Sequence, residues 1–222
     1  MNVVYTASIG DTDQLKTPMY VDPAWQYVAF TDNPDVRSNV WDVRVVDAPQ
    51  EPVERARLSR WYKMSGHELF PGVEYSLWLD AAFTLAASPR MVVDAMGDAD
   101  MAAFLHPSRD NIEDEARRVV QLGYDTEDVV MRQVQHYRAE GFTWRSGITV
   151  GSFQMRRHSK RMARFLSTWR DQVRRWSWRD QLSVDYAAWV ARIAIHYLPG
   201  NDRYANPYAR WHPYDPPWMG AA

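Results

Sequence analysis

Short apolar, β-prone runs alternate with polar loops over the first 80 residues, and Val3–Ser8, Tyr27–Thr31, Asp42–Val46 and Tyr75–Leu79 read as strands. Between the last two, Pro52 to Phe70 reads as one helix, with Glu51 and Glu54 favouring its first turn and Pro71-Gly72 ending it. Strands, loops and a helix in that alternation predict an α/β fold: a mostly parallel sheet with helices packed on it. On the predicted helix Arg57, Arg60, Met64 and His67 share one face, with Lys63 at its edge.

Beyond residue 80 the pattern predicts helices over Ser88–Met96, Asn111–Leu122, Thr126–Ala139, His158–Arg175 and Arg179–Arg192. Strands are expected at Met101–Leu105, Ile148–Gln154 and Ile193–Leu198. From Pro199 the aromatic residues are interrupted by Pro207, Pro213, Pro216 and Pro217, which predicts an irregular strap. Residues 1–198 are therefore expected to form one domain, with 199–222 packed on it.

A chain of 222 residues, 46% apolar and 14% aromatic, can fill one sizeable core. The absence of cysteine removes disulfides, thiolate metal sites and a cysteine nucleophile. No secretion leader or membrane span is evident, so a cytoplasmic location is expected.

Charge is unevenly spread. The net value is −2, yet Met155 to Asp180 holds nine Arg or Lys against two acids. Met162, Phe165, Leu166, Trp169, Val173 and Trp176 recur at helical spacing, so these cations read as a solvated helix face. The alternative is a platform for an anionic partner, with Trp169, Trp176 or Trp178 stacking on the bases of a nucleic acid.

Candidate chemistry starts at Asp80, which ends an apolar strand and precedes Ala81 and Ala82. In an open α/β sheet ligands bind at the carboxyl ends of strands, so Asp80 is placed to reach a metal or a ribose, unless it is only a turn former. Arg57, Arg60, Lys63 and His67 come one element earlier and suit a phosphate-bearing ligand, or else form a basic solvated helix face. His106-Pro107-Ser108-Arg109-Asp110 follows a predicted strand and leads into a helix bearing Glu113 and Glu115. Arg179-Asp180-Gln181-Leu182-Ser183 opens another helix, where Asp180 or Ser183 can also be read as a cap.

Taken in order, Tyr5-Thr6-Ala7-x-x-Gly10, Phe30-Thr31-Asp32, Arg60-x-x-Lys63, Leu77-Trp78-Leu79-Asp80, His106-Pro107-x-Arg109-x-x-Ile112-x-x-Glu115 and Arg179-Asp180-Gln181-Leu182-Ser183 carry a resemblance. The set resembles the glycosyltransferase-like family that includes plant mucilage- and turgor-related proteins, over residues 3–195. The resemblance implies a GT-A (Rossmann-like) fold, a UDP-sugar donor and a divalent cation, manganese or magnesium. It assigns Thr6, Ala7 and Asp32 to the nucleoside, and Arg60 and Lys63 to the diphosphate.

Asp80 takes the place of an Asp-x-Asp metal motif whose second Asp is Ala82 here. The metal then needs His196 or His212 as well, or the enzyme works without one. Asp180 and Gln181 are similar to the Asp-Gln pair of retaining transferases, and His106, Arg109 and Glu115 would shape the sugar or acceptor side. The expected activity is hexosyl transfer to a cytoplasmic acceptor; the alternative is transfer to modified bases of phage DNA, reached through Arg156–Arg179. A non-catalytic nucleic-acid-binding module and a degenerate pseudo-enzyme are the rival readings.

Overall fold

The computed structural model describes residues 1–10, 13–143 and 147–213. Strands β1 (Asn2–Ser8), β2 (Trp25–Thr31), β3 (Asp42–Val45), β4 (Tyr75–Leu79), β6 (Met101–Leu105), β7 (Thr149–Arg157) and β8 (Ile195–Tyr197) form one sheet. Their order is β3-β2-β1-β4-β7-β6-β8. Every pairing is parallel except the two made by β7. The chain runs outward from β1 through β2 to β3, then resumes at β4 on the other side of β1. This change of direction opens a crevice at the carboxyl ends of β1 and β4. The expected Rossmann-like α/β sheet flanked by helices is therefore what the chain forms.

Val3, Val4 and Tyr5 are all fully buried, which requires cover on both faces of the sheet. Helices α1 (Pro52–Met64), α6 (Lys160–Arg175) and α7 (Val184–Ala191) cover one face, where Met64, Met162, Phe165, Trp169 and Val184 pack on Met101 and Ala103. Helix α3 (Pro89–Met96) covers the other, together with a two-stranded sheet of β5 (Phe83–Leu85) and β9 (Ala209–Trp211). Helices α4 (Ile112–Gln121) and α5 (Glu127–Ala139) pack against each other, with Leu182 and Tyr186 in their shared core.

Beyond shifts of one or two residues, four of the expected segments differ. The helix begun at Pro52 stops at Met64, and a short α2 (Gly66–Leu69) follows. Gly66 lies so close to the Tyr5 hydroxyl that a Cβ would stand 2.5 Å from it, so only glycine fits where α2 begins. Strand β7 runs on to Arg157, because Gln154 and Arg156 are buried and bonded instead of solvated. The segment read as a helix over Arg179–Arg192 is a 3-10 turn, Asp180–Leu182, followed by α7. The strap contains β9 and sends Tyr208 and Ala209 into the core, whereas Pro216 and Pro217 lie outside the described residues.

The polar interior sets one pH dependence. Burial, with the nearby Arg156 and His67, pushes the His158 imidazole down to about 4, and its Nε2 lies 2.9 Å from the Ser76 hydroxyl. The folded state then resists protonation while the unfolded state takes a proton near pH 6.5, so this group costs stability as pH falls from 6.5 toward 4. His158→Gln should flatten the decline over that window. Urea titrations of both proteins at the two ends of it check this, and parallel curves would show that His158 is not the cause.

Candidate functional site

The carboxyl ends of β4 and β6 meet the amino end of β7, and a pocket of about 220 Å³ opens there. Asp80 follows β4. Its backbone N–H donates to the Ser152 carbonyl at 2.8 Å, and its Oδ1 accepts from Trp78 Nε1 at 2.6 Å. Lys63, in the last turn of α1, is only 4% exposed and places Nζ 3.0 Å from Asp80 Oδ1 and 2.8 Å from Asp180 Oδ2. Its carbonyl is held from below, by the Tyr5 hydroxyl at 2.9 Å and by Arg156 Nη1 at 2.6 Å. Arg156 is fully buried; its Nη1 also donates to the Tyr5 hydroxyl at 2.7 Å, and its Nε and Nη2 donate to Gln154 Oε1.

Asp180 gains its position from Trp169, whose Nε1 donates to the Asp180 carbonyl at 2.9 Å. Its side chain caps no helix and instead faces Lys63, with Arg60 Nε at 3.8 Å on the second oxygen. Burial acts to raise this carboxyl, but Lys63, Arg60 and Arg179 outweigh it and hold the pKa far below the usual carboxylate range. Gly151 on β7 is needed here, because a Cβ would stand 3.1 Å from Asp180 Oδ2 and 3.3 Å from Lys63 Nζ. Gly151→Ala is expected to loosen the ion pair and lower stability by about 1–3 kcal/mol, as overpacking does. An unchanged urea midpoint would show that the pair shifts freely.

The far wall is charged as well. Arg109 lies 3.0 Å from Glu115 Oε2 and against the His106 ring, and burial with Arg109 and Arg203 brings the His106 imidazole down to about 4. Burial pushes the Glu115 carboxyl up against the opposing effect of Arg109 and Arg179. Arg179 stacks between the rings of Tyr124 at 4.5 Å and Trp178 at 5.2 Å, and Arg60 also lies over Trp178. Gln181 donates through Nε2 to the Thr149 carbonyl.

Of the residues expected from sequence, Asp80, Arg60, Lys63, His106, Arg109, Glu115, Asp180 and Gln181 line this pocket together. Thr6, Ala7 and Asp32 sit at the carboxyl ends of β1 and β2, on the other side of the switch point. There both Asp32 oxygens take the Gly10 N–H, at 2.9 and 3.1 Å, and buried Thr6 Oγ1 has no hydrogen-bond partner among the described residues.

The two histidines suggested as metal ligands are elsewhere. His196 is on the outermost strand β8, with β6 and β7 between it and β4. The His212 ring bonds the Thr84 hydroxyl at 2.9 Å, although its backbone N–H reaches the Ala82 carbonyl. Arg57 and His67 also turn away: Arg57 donates to the Val173 and Trp176 carbonyls, and His67 sits on α2 beside Glu68.

Sequence reasoning passed over Asp202, Arg203, Gly151 and Ser152. Asp202 is 5% exposed, accepts from Ser152 Oγ at 2.7 Å, and keeps a buried Oδ1 with no hydrogen-bond partner among the described residues. Burial raises its carboxyl, and the charge of nearby Asp80 adds to that. No motif marks it; it comes from the strap.

The basic stretch does not form one track. Arg156 is buried, Arg161 pairs with Asp100, Arg170 with Glu68 and Arg174 with Asp171, and Arg179 faces the pocket.

The TOD1/MUCI70, glycosyltransferase-like domain matches residues 2–197. The chain belongs to the TOD1/MUCI70 glycosyltransferase-like family. It is also similar to a probable hexosyltransferase MUCI70 of Arabidopsis thaliana, 29% identical over 133 residues, which cover 54% of this chain and 23% of that protein. The chain thus spans under a quarter of the length of that curated relative. The TOD1/MUCI70 match contains all of the pocket except Asp202 and Arg203, which lie beyond its end. Membership places the chain among glycosyltransferases, and the ionic pocket lies where a doubly wound sheet binds its ligand. No helix among the described residues is long and apolar enough to cross a membrane.

Proposed function

We propose that this domain transfers a hexose from a uridine diphosphate sugar to an acceptor hydroxyl, and that the diphosphate binds where Lys63 bridges Asp80 and Asp180. The observation that carries the reading is the set of cations around that bridge. Arg60, Lys63, Arg109, Arg179 and Arg203 line the pocket against Asp80, Glu115, Asp180 and Asp202, so the arginines leave it with an excess of positive charge, held in place before an anion arrives. The volume of about 220 Å³ suits the diphosphate and the start of a sugar, with the nucleoside lying toward Thr6, Ala7 and Asp32.

In the step proposed, the acceptor oxygen bonds to the anomeric carbon as the bond from that carbon to the diphosphate oxygen breaks. The acceptor proton passes to the departing phosphate. Arg60, Lys63 and Arg179 stabilise the charge on the leaving diphosphate. Asp180 is held ionised by three cations, which makes it a poor proton acceptor and a good partner for sugar hydroxyls. That supports the retaining course, in which no side chain must act as base. His106, kept neutral by burial and by Arg109, together with Glu115, shapes the sugar or acceptor side.

Among the described residues no group of three or more His, Asp or Glu is gathered as a metal cluster. A divalent cation nevertheless fits beside Asp80, because the unpartnered Asp202 Oδ1 supplies a second hard oxygen in the same pocket. Asp80 and Asp202 would hold it, and neither His196 nor His212 is positioned as its ligand. Such an ion, when bound, would neutralise part of the diphosphate charge.

Mass spectrometry of donor hydrolysis over a panel of nucleotide sugars, with and without manganese, tests the reading. Hydrolysis of no donor under either condition would sink it. Gln181→Ala should lower turnover by about tenfold or more with uridine diphosphate affinity unchanged, since Gln181 faces the sugar end. An equal loss of both would make it a scaffold residue for Thr149.

Transfer to DNA is the less favoured reading, because the cations of residues 156–179 point in different directions. Reversing charge at exposed Lys160 and Arg164 should leave turnover and the salt dependence of any DNA binding unchanged. A salt slope reduced by about two units would restore that reading.

A further inference from the structure

A second and larger concavity lies beside the donor pocket, on the side of α7 and β8. It encloses about 1140 Å³, and its described walls include Phe142, Asp185, Trp189, Arg192 and Tyr197. Thr149 joins the two spaces. Its carbonyl accepts from Gln181, which lines the donor pocket, while its N–H donates to Asp185 Oδ2 at 3.0 Å and its hydroxyl donates to Asp185 Oδ1. Gln181 and Asp185 are four residues apart, so the floor of one space continues into the floor of the other.

The chemistry of this groove differs from that of its neighbour. Trp189 is 46% exposed and Tyr197 40%, although α7 already fills its core side with Val184, Ala187, Ala188 and Ala191. Trp189 is braced by Phe142 at 5.5 Å and Tyr186 at 5.9 Å between ring centroids, so its exposed face is a fixed platform. The Tyr197 hydroxyl lies 3.0 Å from Thr149 Oγ1, and Asp185 keeps lone pairs beyond the two that Thr149 occupies. Burial raises the Asp185 carboxyl. The charged residues of the described wall are Glu140, Asp185 and Arg192, two carboxylates to one guanidinium.

An aromatic platform with a carboxylate and a phenol at its edge matches a ligand with an apolar C–H face rimmed by hydroxyls. We propose that this groove seats a neutral saccharide, the acceptor of the transfer, with one pyranose ring on Trp189 and its hydroxyls on Asp185 and Tyr197. The acceptor role rests on the donor reading above. Saccharide binding in the groove does not.

The test uses the full chain labelled with 5-fluorotryptophan, the Trp189 signal being assigned as the one missing from Trp189→Ala. Neutral cello-, xylo-, manno- and galacto-oligosaccharides are titrated by fluorine NMR, and their affinities measured by calorimetry. At least one series should move that signal to saturation. Its affinity should fall by about tenfold in Trp189→Ala, and by about threefold in Tyr197→Phe, which keeps the ring and guards against a folding defect. Uridine diphosphate affinity should match the parent in both variants.

The proposal is overturned if no oligosaccharide shifts the Trp189 signal, if affinity is equal in parent and variants, or if single-stranded DNA shifts the signal where saccharides do not. A parent that binds saccharide but no uridine diphosphate would defeat the donor reading and leave the groove as a saccharide site.

Discussion

Lys63→Met is expected to remove about 3–5 kcal/mol of folding stability and to abolish donor turnover. The size follows from burial. Lys63 is 4% exposed and Asp180 7%, so taking away the ammonium leaves a buried carboxylate with only Arg60, 3.8 Å away, as a direct partner. The ring of Trp78, 5.5 Å from Nζ, loses its cation too.

The loss should depend on pH with a definite sign. In the parent the Asp180 carboxyl is depressed below its unfolded value, so its contribution is present above the unfolded pKa of about 3.9 and fades as pH falls through the folded value. In the variant the same carboxyl, desolvated and poorly paired, should titrate above its unfolded value. Its contribution is then present only in acid and is lost as pH rises. The gap between parent and variant therefore widens from acid to neutral pH. Urea unfolding at pH 4.5 and pH 7 reads it, and a gap of the same size at both would mean that Lys63 acts through packing alone.

That ion pair shows what the sequence could and could not disclose. Lys63 and Asp180 were both legible as candidates, one on a basic helix and one in a motif, but they are 117 residues apart and no local period links them. Elements with a strong apolar run were readable to within a few residues, as with β4 and α6. Strands β5 and β9, three residues each, were not, because they are too short for alternation to register and exist through pairing with each other.

The need for glycine at 66 comes from its approach to Tyr5, a contact between distant segments. Arg156 was counted with a solvated basic face, yet its neighbours Tyr5, Lys63 and Gln154 satisfy its donors in the interior. Strand order likewise carries His196 to the edge of the sheet, away from Asp80, and the residues the strap contributes to the pocket are Asp202 and Arg203.

Asp80→Ala should leave the fold within about 1 kcal/mol of the parent and reduce donor turnover by at least about a hundredfold. The fold is spared because the Asp80 side chain is 37% exposed, and the strand-end bond from its N–H to Ser152 belongs to the backbone. Trp78, itself buried, loses the acceptor of its Nε1, but water can enter the space left by the part-exposed carboxylate and take its place, and Lys63 keeps Asp180.

The effect on nucleotide affinity then separates two roles. Without a divalent cation, Asp80 is a negative charge beside the diphosphate, so its removal should leave uridine diphosphate affinity unchanged or improve it. With manganese present, Asp80 and Asp202 would hold an ion that neutralises part of the diphosphate charge, and removal of the Asp80 carboxylate should weaken affinity by about tenfold or more. Calorimetry with manganese and with a chelator makes the comparison, and Asp202→Asn should repeat the manganese-dependent loss. A variant that keeps a tenth of parental turnover takes Asp80 out of the donor site. Equal affinities in manganese and chelator for parent and both variants would leave Asp80 as a partner of Lys63 and nothing more.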